Sequence, residues 1–149
     1  MSDASVSWNL DVDRLQVTMA NASEAALTAL AHEIEGEVKV KIRGNDQVDT
    51  GFMLNSVYVT TRSSSGYAEA SAAAGTRARS GKGRYVTARV KRRMAQPVSL
   101  VGRAVAAVAV GAEYAIWQEL KKSFLFAGAQ KACAAAGAKL EAVYRSRLR

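Results

Sequence analysis

Asp49-Thr50-Gly51 is the first place where residue types and spacing could do chemistry, because a homodimer carrying this tripeptide could pair two carboxylates that share one proton, as aspartic proteases do. Its setting argues against that role. Such a carboxylate needs a strongly apolar loop, whereas Gln47 lies just before this one, so a turn leading into a strand is the plainer expectation. Gly75 and Gly81-Lys82-Gly83 imitate a phosphate-binding loop. Five residues separate the first two glycines where four are required, and Gly83 stands where a Ser or Thr would hold magnesium. His32 is the only histidine and Cys133 the only cysteine, so neither a zinc set nor an internal disulfide can be assembled within one chain. No catalytic, cofactor-binding or metal-binding residue is therefore expected. His32 reads as a surface or half-buried helix residue, and Cys133 as core or interface packing.

The remaining chemical signal is charge. Residues 1–75 carry five bases and ten acids, and residues 76–149 carry sixteen bases and three acids. Eight of those bases, Arg77, Arg79, Lys82, Arg84, Arg89, Lys91, Arg92 and Arg93, fall in one stretch without an acid. With Tyr85 available for stacking, such a run could neutralise phosphates of a nucleic acid. It could equally dock on an acidic protein surface, and the first half of this chain is acidic, notably Asp3, Asp11, Asp13, Glu33, Glu35 and Glu37.

These residues need elements to position them, and 149 residues with 49% hydrophobic content suffice for one domain with a real core. Charge-free runs such as Thr50–Thr61 and Ala104–Ala112 are too short to span a membrane, and the first eight residues lack the basic-then-apolar pattern of a secretory leader. Weak alternation at Trp8, Leu10 and Val12 predicts an arm or short edge strand over residues 1–20. A capping box at Asn21-Ala22-Ser23-Glu24 predicts a helix start, and Leu27, Leu30, Ala31, Ile34, Val38 and Ile42 form one helical face up to about Arg43. Strands are expected at Met53–Arg62 and Tyr67–Ala74, joined as a hairpin by Ser63–Gly66, and a third at Val98–Val110. Between them, Thr76–Pro97 reads as a long basic exposed loop or arm. A helical turn at Ile116–Leu120 and an Ala-rich helix from about Ser123 to the end complete an α+β chain. Its antiparallel sheet would be packed by a long N-terminal and a C-terminal helix. Ala132 and Ala136 are expected to face the strands, Lys131 the opposite side, and Gly128 and Gly137 to mark close backbone approach.

Three segments, in order, resemble the small neck and tail-completion proteins that join head and tail in long-tailed bacteriophages. Thr50-Gly51-Phe52-Met53-Leu54-Asn55-Ser56-Val57 is similar to the family's Thr-Gly-x-Leu-x-x-Ser-Ile entry into its first strand. Val110-Gly111-Ala112-Glu113-Tyr114-Ala115 followed by Glu119 resembles its Val-Gly-x-x-Tyr-Ala-x-x-Val-Glu. Phe124-Leu125 sits where the family has Pro-Phe-Leu-x-Pro-Ala before its last helix, with Ser123 and Ala127 in the proline places. Leu120-Lys121-Lys122 replaces the Gly-Thr that follows the family's Glu. The match runs from about Asn21 to the end, apart from the basic insertion. The resemblance implies a non-enzymatic virion protein of the neck or tail, assembled in the host cytoplasm as a ring of six or twelve copies. Its partners would be adjacent neck, connector or tail proteins, with the basic arm open to packaged DNA and no membrane involved. The −5/+13 division of charge suits a ring, whose subunits must join unlike faces. A basic nucleic-acid-binding protein using Arg77–Arg93 on phosphates is the alternative.

Overall fold

A computed structural model describes residues 11–47, 51–76 and 93–148. Helix α1 spans Val12–Gly44, 33 residues and about 50 Å at 1.5 Å per residue. Its start is earlier than the capping box at Asn21 predicts. Asp11 is the N-cap, its side chain accepting the Arg14 N–H at 2.9 Å, and the helix runs unbroken through Asn21. So residues 12–20 are helical and not an arm or edge strand; residues 1–10 lie outside the described residues. At the other end Asn45 caps the helix through N–H bonds to the Arg43 and Lys41 carbonyls.

Gly51 adopts φ +75°, the left-handed region that a side chain rarely enters, and opens a single helical turn, α2, at Phe52–Asn55. That turn takes the place of the first residues of the expected Met53–Arg62 strand. Strand β1 is Val57–Thr61, and it pairs antiparallel with β2, Ala106–Val110, in the register Val57↔Val110 through Thr61↔Ala106. The expected hairpin is not formed. Tyr67–Thr76 is a helix, α3, whose run of alanines favours helix over strand. Likewise only the last five residues of the expected Val98–Val110 strand are strand. Gly102 turns the chain at φ +65°, and the Val98 N–H is drawn to the Tyr58 hydroxyl at 3.0 Å instead of a neighbouring strand.

Helix α4 spans Ala115–Lys121, more than the single turn expected. The C-terminal helix is two helices, α5 (Leu125–Ala135) and α6 (Gly137–Arg147), parted at Ala136. Both pack chiefly on α1, not on the strands, which corrects the expected setting of Ala132 and Ala136; each is nevertheless buried. The close approach expected at Gly128 is real, and it is to Val38 of α1, whereas Gly137 meets nothing. Cys133 is exposed, not packed in the core. Lys131 faces α1 after all, pairing with Glu37 at 2.8 Å, and Lys139 pairs with Glu33 at 3.0 Å.

The result is α+β: a two-stranded antiparallel sheet with α1 against it, and α5 and α6 on α1. The core joins Val38 and Ile42 of α1 to Phe52, Met53, Leu54, Val57, Ala112, Ala115 and Phe124. Among the described residues, no helix is long and apolar enough to cross a membrane.

Candidate functional site

The three segments singled out in the sequence meet at one end of the sheet. Ser56, at the entry to β1, is fully buried. Its hydroxyl donates to the Met53 carbonyl at 2.8 Å and accepts the Ala112 N–H at 3.1 Å, while its own carbonyl takes the Gly111 N–H at 2.8 Å. The Thr-Gly-x-x-x-x-Ser segment and the Val-Gly-Ala segment are thus bolted together by one serine. A Cβ on Gly111 would meet the tip of the Met94 side chain, which packs over this glycine, and lie 3.4 Å from the Ser56 carbonyl oxygen. Tyr114 stacks on Phe52 with centroids 6.3 Å apart, and Met53 and Ala115 are buried beside them.

Glu119 organises the third segment. Its carboxylate accepts the N–H groups of Phe124 at 2.7 Å, Leu125 at 2.8 Å and Phe126 at 3.1 Å, and the Ser123 hydroxyl at 2.8 Å. These are the donors that the first turn of α5 leaves without intrahelical partners, so a side chain from α4 caps α5. Burial alone would raise this carboxyl's pKa. The bonds to Phe124, Leu125, Ser123 and Phe126 favour the ionised form more strongly, and the net shift is downward. Phe124, at this capped end, is buried in the core.

A second clamp holds the end of α1 to α4. The Asn45 side-chain amide donates to the Ser123 carbonyl at 3.2 Å, that of Gln47 to the carbonyls of Gln118 at 3.1 Å and Lys122 at 3.2 Å, and Lys122 Nζ returns a bond to the Asn45 carbonyl at 3.1 Å. So fixed, α4 presents Ile116, Trp117 and Leu120 to solvent, 64%, 66% and 75% exposed, with Phe126 of α5 at 68%. These four large apolar side chains lie largely bare of other described residues, an unusual grouping for a short surface helix.

Of the basic run, Arg77, Arg79, Lys82, Arg84, Arg89, Lys91 and Arg92 lie outside the described residues, as do Asp49 and Thr50. Arg93 is described and exposed, its carbonyl accepting the Glu113 N–H at 3.1 Å. The expected exposed loop ends earlier than Pro97. Met94 bridges Ala112, the Ala95 N–H bonds to the Gly111 carbonyl at 2.6 Å, and the Tyr67 hydroxyl donates to the Ala95 carbonyl at 2.8 Å. Tyr58 and Tyr67 meet edge to face at 5.4 Å and hold this return strap from below. Neither tyrosine stands out in the sequence, since each serves through its hydroxyl across more than 25 residues.

A polar cleft between α1, β1 and α3 is lined by His32, Glu35, Lys39, Asn55 and Glu69. Its charges are largely spent on one another, Glu35 accepting from Lys39 at 2.6 Å and lying 3.3 Å from His32. Among the described residues, no three His, Cys, Asp or Glu side chains are grouped as a metal site. No protein-family model, curated protein or solved structure matches the chain.

Proposed function

We propose that the protein is a structural subunit of a tailed-phage virion, forming a ring at the head–tail junction that joins or completes the tail. The observation that carries this reading is the convergence of the three resembling segments. Their shared residues are the ones with structural work: Gly51 turns the chain, Ser56 bonds Met53 and Ala112, and Glu119 caps α5 above Phe124. The bare apolar face of α4 supports assembly through protein contacts.

Negative-stain electron microscopy of the purified full chain, with its mass measured in solution, tests the reading. Closed rings of six or twelve copies are expected. The competing reading, a nucleic-acid-binding protein, draws on the ion pairs Glu37–Lys131 and Glu33–Lys139. Acids that a neighbour's basic arm would seek are already engaged within the chain, which frees the arm for phosphates. A monomer that binds duplex DNA with a steep loss of affinity between low and moderate salt would replace the first reading with this one.

A further inference from the structure

Among the described residues the sheet ends at β2. The bond from the Gly111 N–H to the Ser56 carbonyl fixes the alternation of the ladder, so that the N–H and C=O groups of Ala106 and Val108 point away from β1. Among the described residues no strand pairs with that edge. The edge is also undefended: Ala106–Val110 contains no charge, proline or glycine. Beside it runs an apolar groove, floored by Leu27, Leu30 and Ile34 of α1 and walled by Leu125 and Ala129 of α5, with Arg103 at the rim. Leu27 is 45% exposed there. A row of unpaired strand donors and acceptors above an apolar floor is what an added strand requires, main-chain bonds on one side and alternate side chains downward.

A fitting segment of opposite charge to the groove rim lies near the start of the chain. Val6, Trp8 and Leu10 alternate with Ser5, Ser7 and Asn9, and the flanking charges are Asp3 and Asp11, opposite in sign to Arg103. This segment cannot serve its own groove. It is tethered at Asp11, and Leu27 lies roughly 24 Å along α1 from there, Ile34 roughly 35 Å. Fully extended, Val6 reaches at most about 18 Å from Asp11, and Trp8 about 11 Å. We infer that the β2 edge and its groove are the seat for residues 6–10 of a second copy of the chain. The contact joins two unlike surfaces, so each subunit gives a strand to one neighbour and receives one from another, the heterologous arrangement from which rings close. The inference rests on the ring reading and specifies its subunit contact.

Light scattering of the full chain on size-exclusion chromatography decides it. Trp8→Asp, which spoils the strand, and Leu27→Lys, which puts a charge in the groove floor without touching β2, should each weaken association about thirty-fold or more, as the loss of a central anchor does. Ala106→Pro, which deletes one outward N–H and leaves the β1 ladder intact, should do the same. Ser7→Asp, on the outward side of the added strand, should leave association unchanged. Mixing Trp8→Asp with Leu27→Lys should give one-to-one dimers and nothing larger, since the pair retains one intact strand and one intact groove. Oligomers that survive both substitutions, or that dissolve equally on Ser7→Asp, overturn the contact and leave the ring standing. A full chain that stays monomeric overturns both.

Discussion

Gly128 of α5 lies against the backbone of Val38 in α1: a Cβ on the glycine would fall 2.8 Å from the Val38 nitrogen and 2.9 Å from its Cα. The two helices approach this closely because one of them lacks a side chain. Gly128→Ala gains helix propensity of about 1 kcal/mol yet forces backbone apart, and overpacking of this kind costs about 1–3 kcal/mol. The net expectation is a lower denaturation midpoint. Gly36→Ala, in the same helix pair but with nothing within 4 Å of the added carbon, should raise it.

Glu119 should make stability depend on pH on the acid side. Its folded pKa is lowered, so the stabilisation is fully present above the ordinary glutamate value and is lost as pH falls through the folded value. Glu119→Ala should cost about 0.5–2 kcal/mol near neutrality, the range for a lost helix cap. Glu119→Gln should be less stable than the parent at pH 7, and the gap should close as the parent's carboxyl takes up its proton. Thermal unfolding of both from pH 7 to pH 3 checks the sign.

Ser56→Ala should destabilise by about 1–3 kcal/mol, because it strands the buried Ala112 N–H. Ser99→Ala, at an exposed position on the return strap, should be close to silent. Urea midpoints of the two variants measured side by side give the comparison.

Lys131 and Ala136 test how α5 and α6 sit on α1. Ala136 is 3% exposed, and Ala136→Leu should destabilise by about 1–3 kcal/mol through overpacking. Lys131→Ala removes the half-exposed pair with Glu37 and should cost about 0.2–1 kcal/mol, fading at high salt. Denaturant midpoints in low and high salt separate packing from charge.

The helical face of α1 from Ala31 to Ile42 was legible because its apolar spacing and its burial have the same cause. So was the close approach at Gly128, where glycine in a helix interior has a cost that only packing offsets. Tyr67–Ala74 gives no such signal, because small residues carry no periodicity and propensity decides for helix over the expected strand. The start of α1 differs from expectation because Asn21 and Glu24 satisfy a local capping rule in the helix interior while Asp11 is the cap that forms. Glu119 was recognisable only through its resemblance: spacing alone does not reveal that a side chain in one helix will cap the next. The partner of β1 was beyond local reading, since Val57 meets Val110 across a stretch that includes the whole basic run.

The packing of α1 also sets the order in which the molecule can be made. Glu33 waits for Lys139, 106 residues further on, and Val38 waits for Gly128. At a synthesis rate of about 5–20 residues per second, α1 is out of the ribosome for roughly 5–20 s before its covering helices exist. During that interval the part of its surface that α5 and α6 cover has nothing to bury against, and an isolated helix is only marginally stable in water. Folding of this chain is thus closed by its last helices, so a product truncated before α5 would keep bare the face of α1 that α5 and α6 cover and fall to chaperones or proteases rather than join an assembly.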